Sequence, residues 1–223
     1  MRVERCFAFI DLSGFTAFTE HYGDEETGAV LTAFRGRVRE IAARRGVRVT
    51  KWLGDGAMLS SADSSAVISM VVELADRIPQ TIPLALRAGL ANGAVIMFEG
   101  DDYIGRPANV ASRLCDLADA GETLATREVA SEAPRWVQAG PLTARAVNGL
   151  ERPVEATRLT IATADQTTTD PCCGLTLPVL RGLETRFGTD GTVRRFCSPS
   201  CAIAWDESQR RSRPPLEVTS PDL

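Results

Sequence analysis

The sequence predicts an α+β fold: a ferredoxin-like split βαβ antiparallel sheet with its helices on one face, followed by a small Cys-rich C-terminal module. Three observations predict it. Apolar runs and helical periodicities follow one another as strand, helix, strand, strand, helix, strand. Two dipeptides with hairpin-turn chemistry, Asp55-Gly56 and Asn92-Gly93, lie between short strand-like runs. Four of the six cysteines (Cys172, Cys173, Cys197 and Cys201) crowd the C-terminal part of the chain.

Taken in order, Cys6 to Ile10 is an apolar run suited to a buried strand, ending at Asp11-Leu12-Ser13-Gly14. A long helix follows, with Val30, Leu31, Phe34, Val38 and Ile41 at three- and four-residue spacing and Gly46 as its terminator. Val47 to Trp52 and Ala57 to Ser61 read as strands folded around Leu53-Gly54-Asp55-Gly56. Ala66 to Ile78 is an amphipathic helix stopped before Pro79. Leu84 to Ile96 reads as two strands turning at Asn92-Gly93, Ala108 to Leu117 as a helix, and the stretch to Ile161 as short strands and turns. Residues 161–169 are polar and threonine-rich, a linker composition, so one domain spans 1–160, a cysteine-bearing segment spans 170–206, and 207–223 reads as a frayed polar tail.

The 223 residues, 44% hydrophobic and 24% charged, fall in the ordinary globular range. A net charge of -4 leaves no broad basic surface for a polymer of phosphates, so any bound phosphate is expected to belong to a small ligand. No apolar run approaches the roughly 20 residues that span a bilayer, and Met1 to Arg5 lacks a signal-peptide layout; the expected location is the cytoplasm, away from the membrane. Every basic residue except Lys51 is arginine. A lysine retained in such a background invites a specific explanation, because a compact ammonium and a planar guanidinium are not interchangeable in a fitted pocket.

Asp11 ends the first strand and Asp55 occupies the next hairpin, so a split βαβ sheet can bring the two carboxylates to one edge. Such a pair can hold two divalent cations, with the Ile10 and Leu12 carbonyls nearby. Taken singly, Asp11 also fits a helix cap and Asp55 a turn former. Asn109 and Arg113, four apart on a helix, can address one ligand, or can be an ordinary solvated face.

Phe9-Ile10-Asp11-Leu12-Ser13-Gly14-Phe15-Thr16, Lys51-Trp52-Leu53-Gly54-Asp55-Gly56 and Gly105-Arg106-Pro107-Ala108-Asn109-Val110-Ala111-Ser112-Arg113-Leu114 occur in that order. Together, over about residues 5 to 160, they resemble the class III nucleotidyl cyclase catalytic domain. The resemblance implies an adenylyl cyclase that converts ATP to 3′,5′-cyclic AMP and pyrophosphate. It assigns Asp11 and Asp55 to a pair of magnesium or manganese ions on the triphosphate, Asn109 to the ribose, and Arg113 to the charge at the α-phosphorus. Lys51 and Asp102 match the positions that read adenine, a lysine donating to the ring nitrogen and an aspartate accepting from the exocyclic amine. It further implies a head-to-tail homodimer, each site taking Asp11 and Asp55 from one chain and Lys51, Asp102, Asn109 and Arg113 from the other. One position departs from the pattern: Asn148 stands where a lysine commonly contacts the triphosphate, leaving Arg145 or Arg152 as substitutes. That departure keeps a second reading open, a catalytically weak or inactive nucleotide-binding module coupled to a metal- or redox-sensing tail.

Asp170-Pro171-Cys172-Cys173-Gly174 and Phe196-Cys197-Ser198-Pro199-Ser200-Cys201 resemble the YHS-type, or TRASH-like, small metal-binding domain over about residues 168 to 206. Cys173, Cys197 and Cys201 match its cysteines, and Cys172 is an extra neighbour that would complete a four-thiolate shell. Thiolates favour zinc or copper(I) over magnesium, and a segment this short gains stability from a structural metal. Free or redox-active thiols are the alternative.

Overall fold

In the computed structural model of the chain, the described residues are 1–98, 102–147, 149, 151–188 and 191–211. They divide into two compact units, Met1–Thr163 and the segment from Ala164 onward.

The first unit is built on a mostly antiparallel sheet. Its strands are β1 (Arg2–Ser13), β2 (Arg48–Leu53), β3 (Gly56–Ser61), β4 (Ala85–Phe98), β5 (Asp102–Ile104), β6 (Thr123–Thr126), β7 (Val137–Ala139), β8 (Thr143–Arg145) and β9 (Val154–Ile161). The order across the sheet is β2-β3-β1-β4-β6-β9-β7, with β5 on β4 and β8 on β9, and only the β4/β6 pair is parallel. The helices are α1 (Phe15–Arg45), α2 (Ser64–Arg77), α3 (Arg106–Leu117) and the short α4 (Arg127–Ala130). In α1, Gly23 interrupts the helical backbone and left-handed Gly46 closes the last turn, its N–H reaching Ala42 O. Asp63 caps α2 by accepting from the Ala66 N–H at 3.1 Å, a contact worth about 1 kcal/mol.

The α+β class and the split βαβ order agree with the sequence reading; α1 and α2 of the split unit pack together through Arg44, Arg45 and Glu73, and α3 is an addition on the opposite face. Successive side chains of β1 point to opposite faces. Cys6, Ala8, Ile10 and Leu12 are buried, and Asn92, opposite Cys6, donates to Ser64 Oγ of α2 at 3.5 Å, so α2 covers that face. Phe7 packs on the other, in one buried cluster with Ala91 and Val95 of β4 and Val110, Ala111 and Leu114 of α3. Helix α3 therefore covers the second face. It does so at very close range: a Cβ on Gly89 of β4 would lie 2.2 Å from both Ala111 O and Cys115 N.

One turn also differs from expectation. No hairpin forms at Asn92-Gly93; β4 runs through it, because β1 supplies a partner along the whole length from Arg2 opposite Ile96 to Ser13 opposite Ala85. Gly93 instead has φ 143°, and a Cβ there would come 3.1 Å from Pro107 Cγ. In the β2/β3 hairpin Leu53 pairs with Gly56, so the two turn residues are Gly54, left-handed at φ 64°, and Asp55. Gly56 is glycine for space, since its Cβ would lie 2.5 Å from Ile10 O.

In the second unit β10 (Thr167–Thr169) pairs with β11 (Thr176–Pro178), and β12 (Glu184–Phe187) with β13 (Val193–Phe196), before helix α5 (Pro199–Arg211). Two elements fall where the sequence reading placed none: Thr167–Thr169, read as linker, is β10, and α5 continues past residue 206 to Arg211. Its small core holds Leu175, Leu177, Phe196 and Ala202, with the Trp205 ring 5.7 Å from that of Phe196. Among the described residues no helix is long and apolar enough to cross a membrane.

Candidate active site and cysteine cluster

Asp11 lies near the end of β1, on the face covered by α3. Directly across on β4 is Arg87, whose Nε and Nη2 both donate to Asp11 Oδ2, at 2.9 and 2.5 Å. The other carboxylate oxygen looks toward the β2/β3 turn: a Cβ on Gly56 would come 3.1 Å from Oδ1, so glycine there leaves that oxygen accessible. Asp55 stands on the turn itself. Burial, and next the neighbouring Asp11 carboxylate, raise the pKa of its carboxyl above the ordinary aspartate value. Two neighbouring carboxylates, with a backbone carbonyl at Ile10, form an all-oxygen donor set. Such a set suits hard divalent cations, whose charge would relieve the repulsion. A cleft of about 180 Å³ opens over it, lined by Asp11, Gly56 and Leu53 on one side and Ser112, Cys115 and Asp116 of α3 on the other.

The turn is fastened from outside. Arg35 of α1 donates to Gly54 O at 2.9 Å and lays its guanidinium 5.0 Å from the Trp52 ring centre, with Arg39 at 5.1 Å. Ser13, two residues beyond Asp11 on the same face, has a buried Oγ with no hydrogen-bond partner among the described residues.

Lys51 of β2 and Asp102 of β5 meet directly, Nζ to Oδ2 at 2.8 Å, although half a hundred residues apart in sequence. The lysine, and then the Tyr103 N–H, hold the Asp102 carboxyl below its usual range. Asn109 and Arg113 lie exposed on α3; Arg113 reaches Asp116 at 3.3 Å, and Asn109 makes no side-chain hydrogen bond among the described residues. Hydrogen bonds and ion pairs thus form two groups, Asp11 with Asp55 and the unpredicted Arg87, and Lys51 with Asp102. No such contact joins the groups among the described residues. Asn148 lies outside the described residues; Arg145 faces Glu122 at 3.7 Å.

In the second unit, Cys173, Cys197 and Cys201 bring their sulfurs together, with separations of 3.8 Å for Cys173–Cys197 and 3.5 Å for Cys197–Cys201. The fourth member of this cluster is Asp170: one ligand atom from each of the four lies within 4.8 Å of the others. Cys172, expected as the fourth ligand, is outside that group, because adjacent residues point their side chains apart. Asp170 is fully buried and accepts from Cys172 N at 2.8 Å, Cys173 N at 3.3 Å and Cys197 N at 2.8 Å, so its carboxylate ties the two cysteine-bearing segments together. The neighbouring thiols and burial raise Cys173 well above an ordinary cysteine, a penalty that a bound cation reverses. Sulfur donors suit a thiophilic metal.

Sequence reasoning passed over Arg87 and Asp170. The signal for Arg87 was a cation amid the small and apolar residues Leu86, Ala88 and Gly89; for Asp170 it was the aspartate of the quoted Asp170-Pro171 pair.

The chain matches no protein-family profile. It is 35% identical over 154 residues to an uncharacterized protein of Mycobacterium tuberculosis, a match spanning 68% of this chain and 40% of that relative. It is 34% identical over 152 residues to a pH-sensitive adenylate cyclase of M. tuberculosis, spanning 64% of this chain and 38% of the relative. An adenylate cyclase of Streptomyces coelicolor is 33% identical over 126 residues, spanning 56% and 32%. The chain thus spans about 40% of the length of the first of these relatives or less. Among solved structures, the adenylyl cyclase CyaB from P. aeruginosa superposes with a TM-score of 0.65 at 27% identity, covering 73% of this chain and 96% of that one. The guanylyl cyclase Cya2 gives a TM-score of 0.65 at 20% identity, covering 73% and 94%.

Proposed function

Starting from a first unit that has the class III cyclase fold, we propose that the chain is an adenylyl cyclase, forming 3′,5′-cyclic AMP and pyrophosphate from ATP at sites shared across a homodimer. The observation that carries this reading is the Lys51–Asp102 pair, a donor and an acceptor held together by the fold, in a chain that also sets Asp11 beside Asp55. Adenine needs a donor at its ring nitrogen and an acceptor at its exocyclic amine, and guanine offers a carbonyl at that edge instead.

Asp11 and Asp55 would hold two magnesium or manganese ions, with the Ile10 and Leu12 carbonyls as further oxygen donors. Those ions supply charge neutralisation at the triphosphate and activation of the ribose 3′-oxygen. The side chains do the positioning. Asn109 orients the ribose so that the 3′-oxygen stands in line with the α-phosphorus, and Arg113 stabilises the charge that develops as the bond to pyrophosphate breaks. Arg113 must exchange its exposed Asp116 contact for the phosphate, a small cost for a surface pair. The inactive-module reading rested on Asn148; the retained carboxylates, base-reading pair, Asn109 and Arg113 favour the enzyme.

The test is cyclic nucleotide formation by the purified chain with manganese and either ATP or GTP. Lys51→Glu combined with Asp102→Cys is expected to shift preference from ATP toward GTP at reduced total activity, because the pocket then presents an acceptor where adenine needs a donor. An unchanged ATP:GTP ratio in the double variant would remove these residues from base recognition.

For the second unit we propose a thiolate-bound zinc on Cys173, Cys197 and Cys201, braced by Asp170. Elemental analysis of reduced protein is expected to find about one zinc per chain. Cys197→Ser with Cys201→Ser should release it and open the segment to protease while the first unit keeps its fold. Protein free of transition metal would favour redox thiols.

A further inference from the structure

The contact between Arg87 and Asp11 has a consequence for metal loading. Both guanidinium N–H groups converge on one oxygen, Oδ2, leaving Oδ1 beside the space that Gly56 keeps open. A divalent cation approaching Asp11 and Asp55 therefore meets a fixed positive charge on the far side of the same carboxylate. The pair is partly shielded, with side-chain exposures of 33% for Arg87 and 24% for Asp11, so solvent screens that charge less than on an open surface. With Arg87 in place, the carboxylates and the guanidinium together carry a single net negative charge, which is little for two divalent ions. A nucleotide triphosphate supplies the missing negative charge and further oxygen ligands.

We propose that Arg87 sets the metal threshold of this site: it occupies Asp11 Oδ2 in the nucleotide-free chain, so that divalent cations load together with the nucleotide rather than ahead of it. This rests on the assignment of Asp11 and Asp55 to metal. Arg87 is then a positioning residue that also acts as a competing cation. A purely structural role predicts the opposite sign, since loss of a structural ion pair disorders Asp11 and weakens metal binding.

The experiment is a titration of the full chain with Mn2+, free ion being read by electron paramagnetic resonance, without nucleotide and with a non-reactive ATP analogue, against a blank of analogue alone. Arg87→Gln keeps an amide donor for Asp11 and removes the charge; it is expected to bind Mn2+ at least ~5-fold tighter without nucleotide, whereas Arg87→Lys stays within about twofold of wild type. Wild type is expected to gain at least ~10-fold in Mn2+ affinity when the analogue is added, and the Gln variant less than that. Equal or weaker Mn2+ binding by a folded Gln variant would overturn the proposal. Should the Gln variant not fold, Arg87→Met takes its place, and the wild-type arm decides independently: Mn2+ bound as tightly without analogue as with it ends the proposal. Failure of the underlying metal assignment looks different, as no Mn2+ held above the analogue blank by wild type and no change in Asp55→Ala.

Discussion

Asp11→Ala and Asp55→Ala are each expected to lower cyclic AMP formation from ATP and manganese by at least ~10², because each removes a ligand that concentrates positive charge at the triphosphate. The fold is expected to survive both. Asp55 is one of the two residues of a hairpin turn whose backbone is fastened by Arg35, so truncating its side chain leaves the strand pairing untouched. Asp11 is partly exposed, and its loss frees Arg87 at a cleft open to water. Far-UV circular dichroism and thermal melts separate the two effects, since a rate loss in well-folded protein assigns the carboxylates to chemistry. Near-normal turnover in both variants would remove them from it.

Mixing two dead variants is expected to restore activity. If Asp55 of one protomer and Arg113 of its partner build the same site, Asp55→Ala and Arg113→Ala chains are each nearly inactive alone. Their heterodimer carries one intact site and one doubly damaged site. Random pairing at equal amounts makes half the dimers mixed, so recovered activity should approach about a quarter of wild type for independent sites. That no hydrogen bond or ion pair joins the Asp11 and Lys51 groups within one protomer, among the described residues, motivates this test. Co-expression with two affinity tags establishes that mixed dimers exist; mixed dimers without activity would place Asp55 and Arg113 in the same chain's site.

What the sequence made legible, and what it hid, follows from which interactions are local. Helical periodicity, with a terminal glycine for α1 and a proline just beyond α2, located these two helices because such signals act within a few residues. Period alone identifies the apolar face of α3 and is silent on which side of the sheet receives it; that depends on Gly89, far away in sequence. Asn92-Gly93 carries strong turn chemistry, yet the unbroken partner strand β1 outweighs it. Leu53-Gly54-Asp55-Gly56 is the hairpin turn, as read, with Gly54 the residue in the left-handed region. The Lys51–Asp102 meeting could be expected only through the family resemblance, whereas the Arg87–Asp11 pair needs the strand register itself. Adjacent cysteines hid the fourth member of the sulfur cluster in the same way: only the folded backbone shows that Asp170, and not Cys172, turns inward.

The contact at Gly89 bears on how such a chain can change by mutation. No reacting group lies at that residue, yet one methyl group there would collide with the backbone of α3 at Ala111 and Cys115. The helix would have to lift from the sheet, carrying Asn109 and Arg113 with it. A codon for an inert residue therefore constrains heredity as tightly as the codons for the side chains proposed to meet the nucleotide, because here the position of the helix is encoded by what is missing.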